Sequence, residues 1–310
     1  MIGIKEIASY IPERVRDNIQ LAAKFGKSGD FIRERIGGIY LPIKEPEMNT
    51  SDMACRAIEN LLNKSGVGKN EIGCLALCTQ NPDGRGLPHT AAIVQAKLEL
   101  PHALAAFDIS LGCSGYVYGL NIIKGFMDSA DLKIGVLVTA DPYSKIIDSK
   151  DPTTVMLFGD AASATLLVRE DSILEIKKSL YGTDGRGSIH LINDGGRLHM
   201  NGRQVFNFAA TTVPRLVENL LDEEKMETSD IDQFVFHQGS RYIVETLIRR
   251  LKLDKKKVPL RIEKTGNTVS SSIPLILENS IQEPRVRNIL IAGFGVGWSW
   301  GGMILTRKQK

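Results

Sequence analysis

The sequence predicts an α/β protein built of stacked layers, and two observations carry that reading. Apolar runs of strand length alternate with segments of helical period through most of the chain. At 310 residues and 43% hydrophobic content, there is enough apolar material for two cores or one large double core.

Taken in order, residues 1–10 form a strand-like run that carries Lys5 and Glu6. Thr50, Ser51 and Asp52 make an N-cap cluster for a helix over 51–64. A strand over 72–79 follows, then a helix over 90–98 and a strand over 103–109. Tyr116, Leu120, Ile123 and Met127 recur at helical spacing within 114–129, and strands are expected over 134–140 and 163–168. Residues 169–197 break the rhythm: they are charged and then Gly-rich (Tyr181-Gly182-Thr183-Asp184-Gly185-Arg186-Gly187), as a connection over the surface would be. The junction of two halves, 1–172 and 173–310, is placed there. A helix over 213–221 and a strand over 234–237 come next. Ile243, Leu247 and Leu251 mark a basic amphipathic helix over 241–251. A turn of small residues enters a helix over 271–279 (Ile273, Leu275, Ile276), and a strand over 288–293 closes the series. No internal repeat is visible.

Composition excludes several classes. No stretch reaches the ~18 uncharged apolar residues of a membrane span. A net charge of +3 without an aromatic-interleaved basic patch does not suit nucleic acid. The first ten residues lack the layout of a signal peptide, so a reducing cytoplasm is expected. Four cysteines do not suggest a disulfide scaffold, and Cys74 and Cys78, with no histidine nearby, read as buried packing rather than a metal site.

The chemistry centres on Cys113, where the apolar run of 105–111 ends and the helical period begins. Unpaired N–H groups and the positive end of the macrodipole at a helix tip favour a thiolate. Gly112 and Gly115 leave room for a substrate against the backbone. A small apolar residue packed at a strand–helix junction would look the same. His237 is delivered at the end of a short buried strand, and Asn267 lies in the turn Lys264-Thr265-Gly266-Asn267-Thr268. Each alone is ordinary, a core histidine and a turn asparagine. Together the three supply a nucleophile and two donors for an oxygen, the set that acyl-thioester chemistry needs.

The segments DISLGCSGY, FVFHQGSRYI and EKTGNTVSSS resemble, in order and spacing, the three active-site motifs of β-ketoacyl-acyl-carrier-protein synthase III, of the thiolase-like superfamily. Further likenesses cover nearly the whole chain: Phe31 to Gly38, Leu157 to Ala164, Met200 to Phe206 and the Gly-rich loop Gly293 to Gly301. The resemblance implies a duplicated five-layered α-β-α-β-α fold with two sheets packed about a central pair of helices. It implies a homodimer that uses acyl-coenzyme A as substrate, with no cofactor and no metal, and malonyl-acyl carrier protein as partner. Cys113, His237 and Asn267 would be catalytic, and the backbone N–H groups of Cys113 and Val296 would form the oxyanion hole.

Departures from the family pattern matter. Phe31 replaces the tryptophan that stacks on the adenine of coenzyme A, Arg35 matches an arginine near that channel, and Ser240 replaces an asparagine. The family's arginine is displaced to Arg241, with Tyr242 at the aligned position. Val296 replaces a glycine, and its bulk would reshape the acyl pocket. Leu87 matches a residue, often aromatic, that crosses the dimer interface into the partner's acyl pocket, where a smaller side chain would suit a longer or branched acyl group.

The basic run Arg241, Arg249, Arg250, Lys252 and Lys255 to Lys257 fits a solvated face as well as a docking patch for an acidic carrier protein. A papain-like peptidase shares the Cys, His, Asn order but not the local sequence or the α/β rhythm. A non-catalytic synthase subunit is disfavoured by retention of all three residues. A related enzyme of specialised metabolism, making an ester or a quinolone-type product, is the principal alternative.

Overall fold

The computed structural model describes residues 2–308; Met1, included in the first strand-like run, lies outside them. Among the described residues the chain forms two two-stranded sheets and a nine-stranded one, whose two halves, called the first and second sheets, meet at a seam. From edge to edge its strands are Ala105–Ile109, Cys74–Cys78, Ile134–Ala140, Ala162–Val168, Gly3–Tyr10, Leu174–Thr183, Ser299–Arg307, Asn288–Gly295 and Gln233–Phe236. The middle of this series is a seam rather than a full ladder, since Gly3–Tyr10 meets Leu174–Thr183 through only Gly3↔Glu175 and Ile4↔Leu174. Walking outward from the seam, strand order and direction match on the two sides. The second side lacks a counterpart to Ala105–Ile109 among the described residues; outside the sheets, Asn267 makes a single bridge to Phe158.

Layering follows from side-chain alternation on strands that are apolar on both faces. On Cys74–Cys78, the residues Cys74, Ala76 and Cys78 face the central core. Leu75 and Leu77 face the outer helices Thr50–Ser65 and Thr90–Lys97. The central core is filled by Gly115–Ser129 (Tyr116, Leu120, Ile123, Met127) and Ser272–Ser280 (Ile273, Ile276, Leu277), packed against strands from both sides of the seam. A third core joins the outer helices Gly202–Glu224 and Arg241–Arg250 to the second sheet. This is the α-β-α-β-α order that the resemblance implied. All four cysteines are buried and free.

Two sequence expectations are corrected. Residues 169–197 are not only a surface connection: Leu174–Thr183 is a ten-residue strand, followed by the hairpin Leu191–Asp194 and Arg197–Met200. The strand was hidden because the charged Glu175, Lys177 and Lys178 interrupt the apolar pattern of Leu174 and Ile176, which point inward. The helix expected over 213–221 begins at Gly202, where Asn201 caps it by accepting from the Gln204 N–H at 3.2 Å, and it runs through Pro214.

Ile123 is fully buried between the two sheets. Ile123→Ala should therefore cost about 2–5 kcal/mol of stability, read from the shift in urea unfolding midpoint.

Candidate active site

Cys113 sits in a tight turn before the helix Gly115–Ser129, closed by the Gly115 N–H donating to the Gly112 carbonyl at 2.7 Å. It is only 5% exposed. The strand Asn288–Gly295 runs directly beneath. A Cβ at Gly293 would lie 2.6 Å from the Cys113 carbonyl oxygen, and one at Gly295 would lie 2.9 Å from Cys113 Sγ. The strand's end directs the Val296 N–H at the sulfur, alongside the N–H of Cys113 itself.

Position at a helix entrance does not make this thiol acidic. Burial pushes its pKa well up and nearby Asp141 adds to the effect; the two N–H groups pull it down without offsetting them. Asp141 is itself buried, which raises its carboxyl to about 7 although the Gln80 N–H and the Asn81 and Ser270 side chains donate to it.

His237 follows Gln233–Phe236, its N–H donating to the Ala292 carbonyl at 2.8 Å. Burial lowers its pKa to about 3, the nearby Val269 carbonyl working the other way, so the ring is neutral at pH 7. Its Nδ1 lies 2.7 Å from Ser272 Oγ, which also lies 3.0 Å from the Val269 carbonyl. The hydroxyl has one proton for the two. Given to Nδ1, that proton leaves Nε2–H as a donor; given to the carbonyl, it leaves Nε2 an acceptor. Phe294 meets the ring edge-on at 5.5 Å.

Asn267 is held by its backbone to the first half: its N–H donates to the Leu157 carbonyl at 3.0 Å, and its carbonyl accepts from Gly159 at 3.1 Å. Its side-chain oxygen accepts from the Val269 N–H at 2.9 Å, and its amide nitrogen donates to the Gly239 carbonyl at 3.4 Å.

Cys113, His237 and Asn267 line one cavity of about 480 Å³. Phe31, Arg35 and Ser240 line it as well. Lys27 Nζ lies 5.6 Å from the Phe31 ring centre, and the Arg35 guanidinium stacks on Tyr242 at 4.3 Å. Ser240 caps the helix Arg241–Arg250 by accepting from the Ile243 N–H at 3.2 Å. Arg241 lies off this cavity, in a neighbouring groove, with Glu263 at 3.7 Å. Leu87 is 87% exposed and does not line this chain's cavity. Sequence reasoning missed Tyr143, Phe158 and Phe206 in the lining, and Ser272 behind the histidine. Phe158, Phe206 and Ser272 lie within segments singled out above without a role being given to them, whereas Tyr143 lies outside every such segment and reaches the site only through tertiary packing.

The comparisons agree with one another. The family model described as 3-Oxoacyl-[acyl-carrier-protein (ACP)] synthase III matches residues 107–185, and that of its C terminal part matches 221–307. A "Beta-ketoacyl-[acyl-carrier-protein] synthase III 1" of Bacillus cereus is 34% identical over 307 residues, covering 98% of each chain. The chain belongs to the 3-oxoacyl-(acyl-carrier-protein) synthase III family. A Campylobacter curvus member is 33% identical, over 96% of this chain and 95% of its own. The crystal structure of the Aquifex aeolicus 3-oxoacyl-[acyl-carrier-protein] synthase III superposes with a TM-score of 0.92 at 30% identity, covering 99% of this chain and all of that one. The fold is accordingly the thiolase-like fold. No helix among the described residues is long and apolar enough to cross a membrane.

The depressed pKa of His237 makes a stability prediction. An unfolded chain takes up this proton below pH 6.5, whereas the folded ring resists until about 3. The His237 contribution should therefore fall as pH drops through that window, by up to about 1.4 kcal/mol per pH unit, against an opposing gain from Asp141, whose folded carboxyl takes up a proton near 7 and whose unfolded one does so near 3.8. Urea midpoints measured from pH 7 to 4 should show a shallower fall for His237→Gln.

Proposed function

We propose that this chain is a β-ketoacyl-acyl-carrier-protein synthase III that condenses an acyl group from acyl-coenzyme A with malonyl-acyl carrier protein. The observation that carries this reading is the convergence of Cys113, His237 and Asn267 on one cavity, with the Cys113 and Val296 N–H groups at the sulfur.

Acylation begins with Cys113 Sγ attacking the thioester carbonyl. Charge moves to the carbonyl oxygen, which the Cys113 and Val296 N–H groups hold, and coenzyme A leaves with the thiol proton. Burial keeps the thiol protonated at rest, so the attacking thiolate forms only as the carbon–sulfur bond does, its proton passing to the departing coenzyme A sulfur. Malonyl thioester then enters the same cavity. His237 Nε2–H, in the tautomer fixed by a Ser272 proton on Nδ1, and the Asn267 amide donate to its carbonyl oxygen. Its carboxylate leaves as carbon dioxide, and the electron pair becomes an enolate. The enolate carbon attacks the acyl-cysteine carbonyl, a carbon–carbon bond forms, and the sulfur departs and is reprotonated.

Phe31, Arg35 and Ser240 line the channel end at which the coenzyme would enter, with Arg241 at its flank. Arg249, Arg250 and the lysines at 255–257 offer a face for the acidic carrier protein. Acyl-coenzyme A is then a substrate, and the steps above require neither metal nor prosthetic group. The protein acts as a homodimer in the cytoplasm, Leu87 lining the partner's acyl pocket. The working unit comprises halves 1–172, carrying the nucleophile, and 173–310, carrying His237 and Asn267; the matched strand order on either side of the seam supports this division.

Incubation with a panel of acyl-coenzyme A esters should add one acyl mass per chain, seen by intact mass spectrometry, and Cys113→Ala should abolish it. Labelling that persists in that variant would refute the nucleophile. Acylation without a carbon–carbon product from malonyl-acyl carrier protein would favour ester-type transfer instead. Asn267→Ala should slow condensation by about 100- to 1000-fold, measured as β-ketoacyl product formed, while acylation of Cys113 stays within a few-fold of the unmodified protein.

A further inference from the structure

The acyl group on Cys113 must extend away from the entering coenzyme arm, so the wall beyond the sulfur sets which acyl groups fit. Cys113 packs in one buried cluster with Tyr143, Leu157, Phe158 and Leu191, all of which line its cavity. Tyr143 is the bulkiest member and is 3% exposed. Its ring lies 4.8 Å from that of Phe158, and its hydroxyl donates to Gln80 Oε1 at 3.2 Å. Gln80 is itself fixed, its N–H donating to Asp141 Oδ1 at 2.9 Å, and its side-chain oxygen presses on the nucleophile turn, 2.4 Å from where a Gly112 Cβ would stand. Val296 Cγ1 approaches the same point at 3.2 Å.

Tyr143 therefore cannot swing aside at little cost. Doing so would leave a buried phenol and a half-buried amide oxygen without this partner and would open a void beside Phe158. We infer that Tyr143 is the specificity-determining floor of the acyl pocket and restricts the group loaded on Cys113 to a short acyl chain, acetyl or propionyl in size. Room offered by a small residue at position 87 of a partner does not lengthen this pocket, because the obstruction comes from the chain that carries the nucleophile. The inference rests on the acyl-cysteine reading above.

The test separates pocket depth from acyl transfer. Alkyl methanethiosulfonates convert the Cys113 thiol to a mixed disulfide as the S–S bond forms and methanesulfinate leaves, and they require no recognition of coenzyme A. Intact mass over time, with Cys113→Ala as the blank, gives labelling rates for methyl, ethyl and hexyl reagents. Methyl and ethyl should label the native protein about tenfold or more faster than hexyl. Tyr143→Leu should bring hexyl to within a few-fold of ethyl, and Tyr143→Phe, which keeps the ring, should retain the native ratio. Hexyl labelling of the native protein as fast as ethyl, or an unchanged ratio in Tyr143→Leu, overturns the inference. The same panel of acyl-coenzyme A esters should then show acetyl and propionyl preferred by the native protein and hexanoyl accepted by Tyr143→Leu. A short-chain preference in labelling without acylation by any ester would sink the acyltransferase reading and leave the floor standing.

Discussion

The site depends on one close approach: the strand Asn288–Gly295 crosses under the Cys113 turn at a distance that excludes side chains. Gly293 and Gly295 are the two positions where a Cβ would strike the Cys113 carbonyl or its sulfur. Because they are glycines, several groups fall into place together. Val296 N–H reaches the sulfur, and Phe294 lies edge-on to His237. The parallel neighbour Gln233–Phe236 ends where the Ala292 carbonyl receives the His237 N–H. Asn267 is fixed by a separate device. Gly266, at a φ of +62°, lets the chain press against the Leu157 carbonyl and Gly159, so the asparagine of the second half is tied to the backbone of the first.

The electrostatics follow from that tightness. Crossing strands and filled layers exclude water around the sulfur and the imidazole, and excluding water opposes charge there: the thiol goes up, the imidazole down, and Asp141 up to about 7. At rest the site is built around neutral groups and oriented N–H dipoles. Such a site favours a reaction in which negative charge appears on a substrate oxygen and is met by fixed donors, and it disfavours a standing thiolate. The helix entrance thus matters less as a source of acidity than as a means of aiming an N–H and a sulfur at the same place.

The three residues proposed to carry the chemistry were legible because each lies where local pattern changes: Cys113 between a strand and a helix, His237 at a strand end, Asn267 in a turn before a helix. Apolar strands buried on both faces were legible too, since nothing polar interrupts Cys74–Cys78 and only Thr139 interrupts Ile134–Ala140. Leu174–Thr183 was not, because a strand at the seam keeps one side polar and its lysines read as surface. Ser272, Gln80 and Tyr143 were illegible in a stronger sense. Their roles arise from partners 35 residues away for Ser272 and 63 for Gln80 and Tyr143, too far apart for a short window of sequence to hold both.

The departures at the channel mouth show how a substitution can keep a local role and change a recognition surface. Serine and asparagine both serve well as N-caps, so Ser240, which accepts from the Ile243 N–H, preserves the start of the helix Arg241–Arg250. With that start fixed, Tyr242 takes the position that the family resemblance gives to an arginine. Its ring is held between the Arg35 guanidinium at 4.3 Å and the Phe206 ring, nearly parallel at 5.0 Å. Arg35 is thereby oriented by stacking rather than by a carboxylate, and its N–H groups stay available to an anionic ligand. Arg241 is drawn off to Glu263 instead. Positive charge at this mouth is therefore placed by an aromatic stack, an arrangement that follows once the helix cap has set which way residue 242 points.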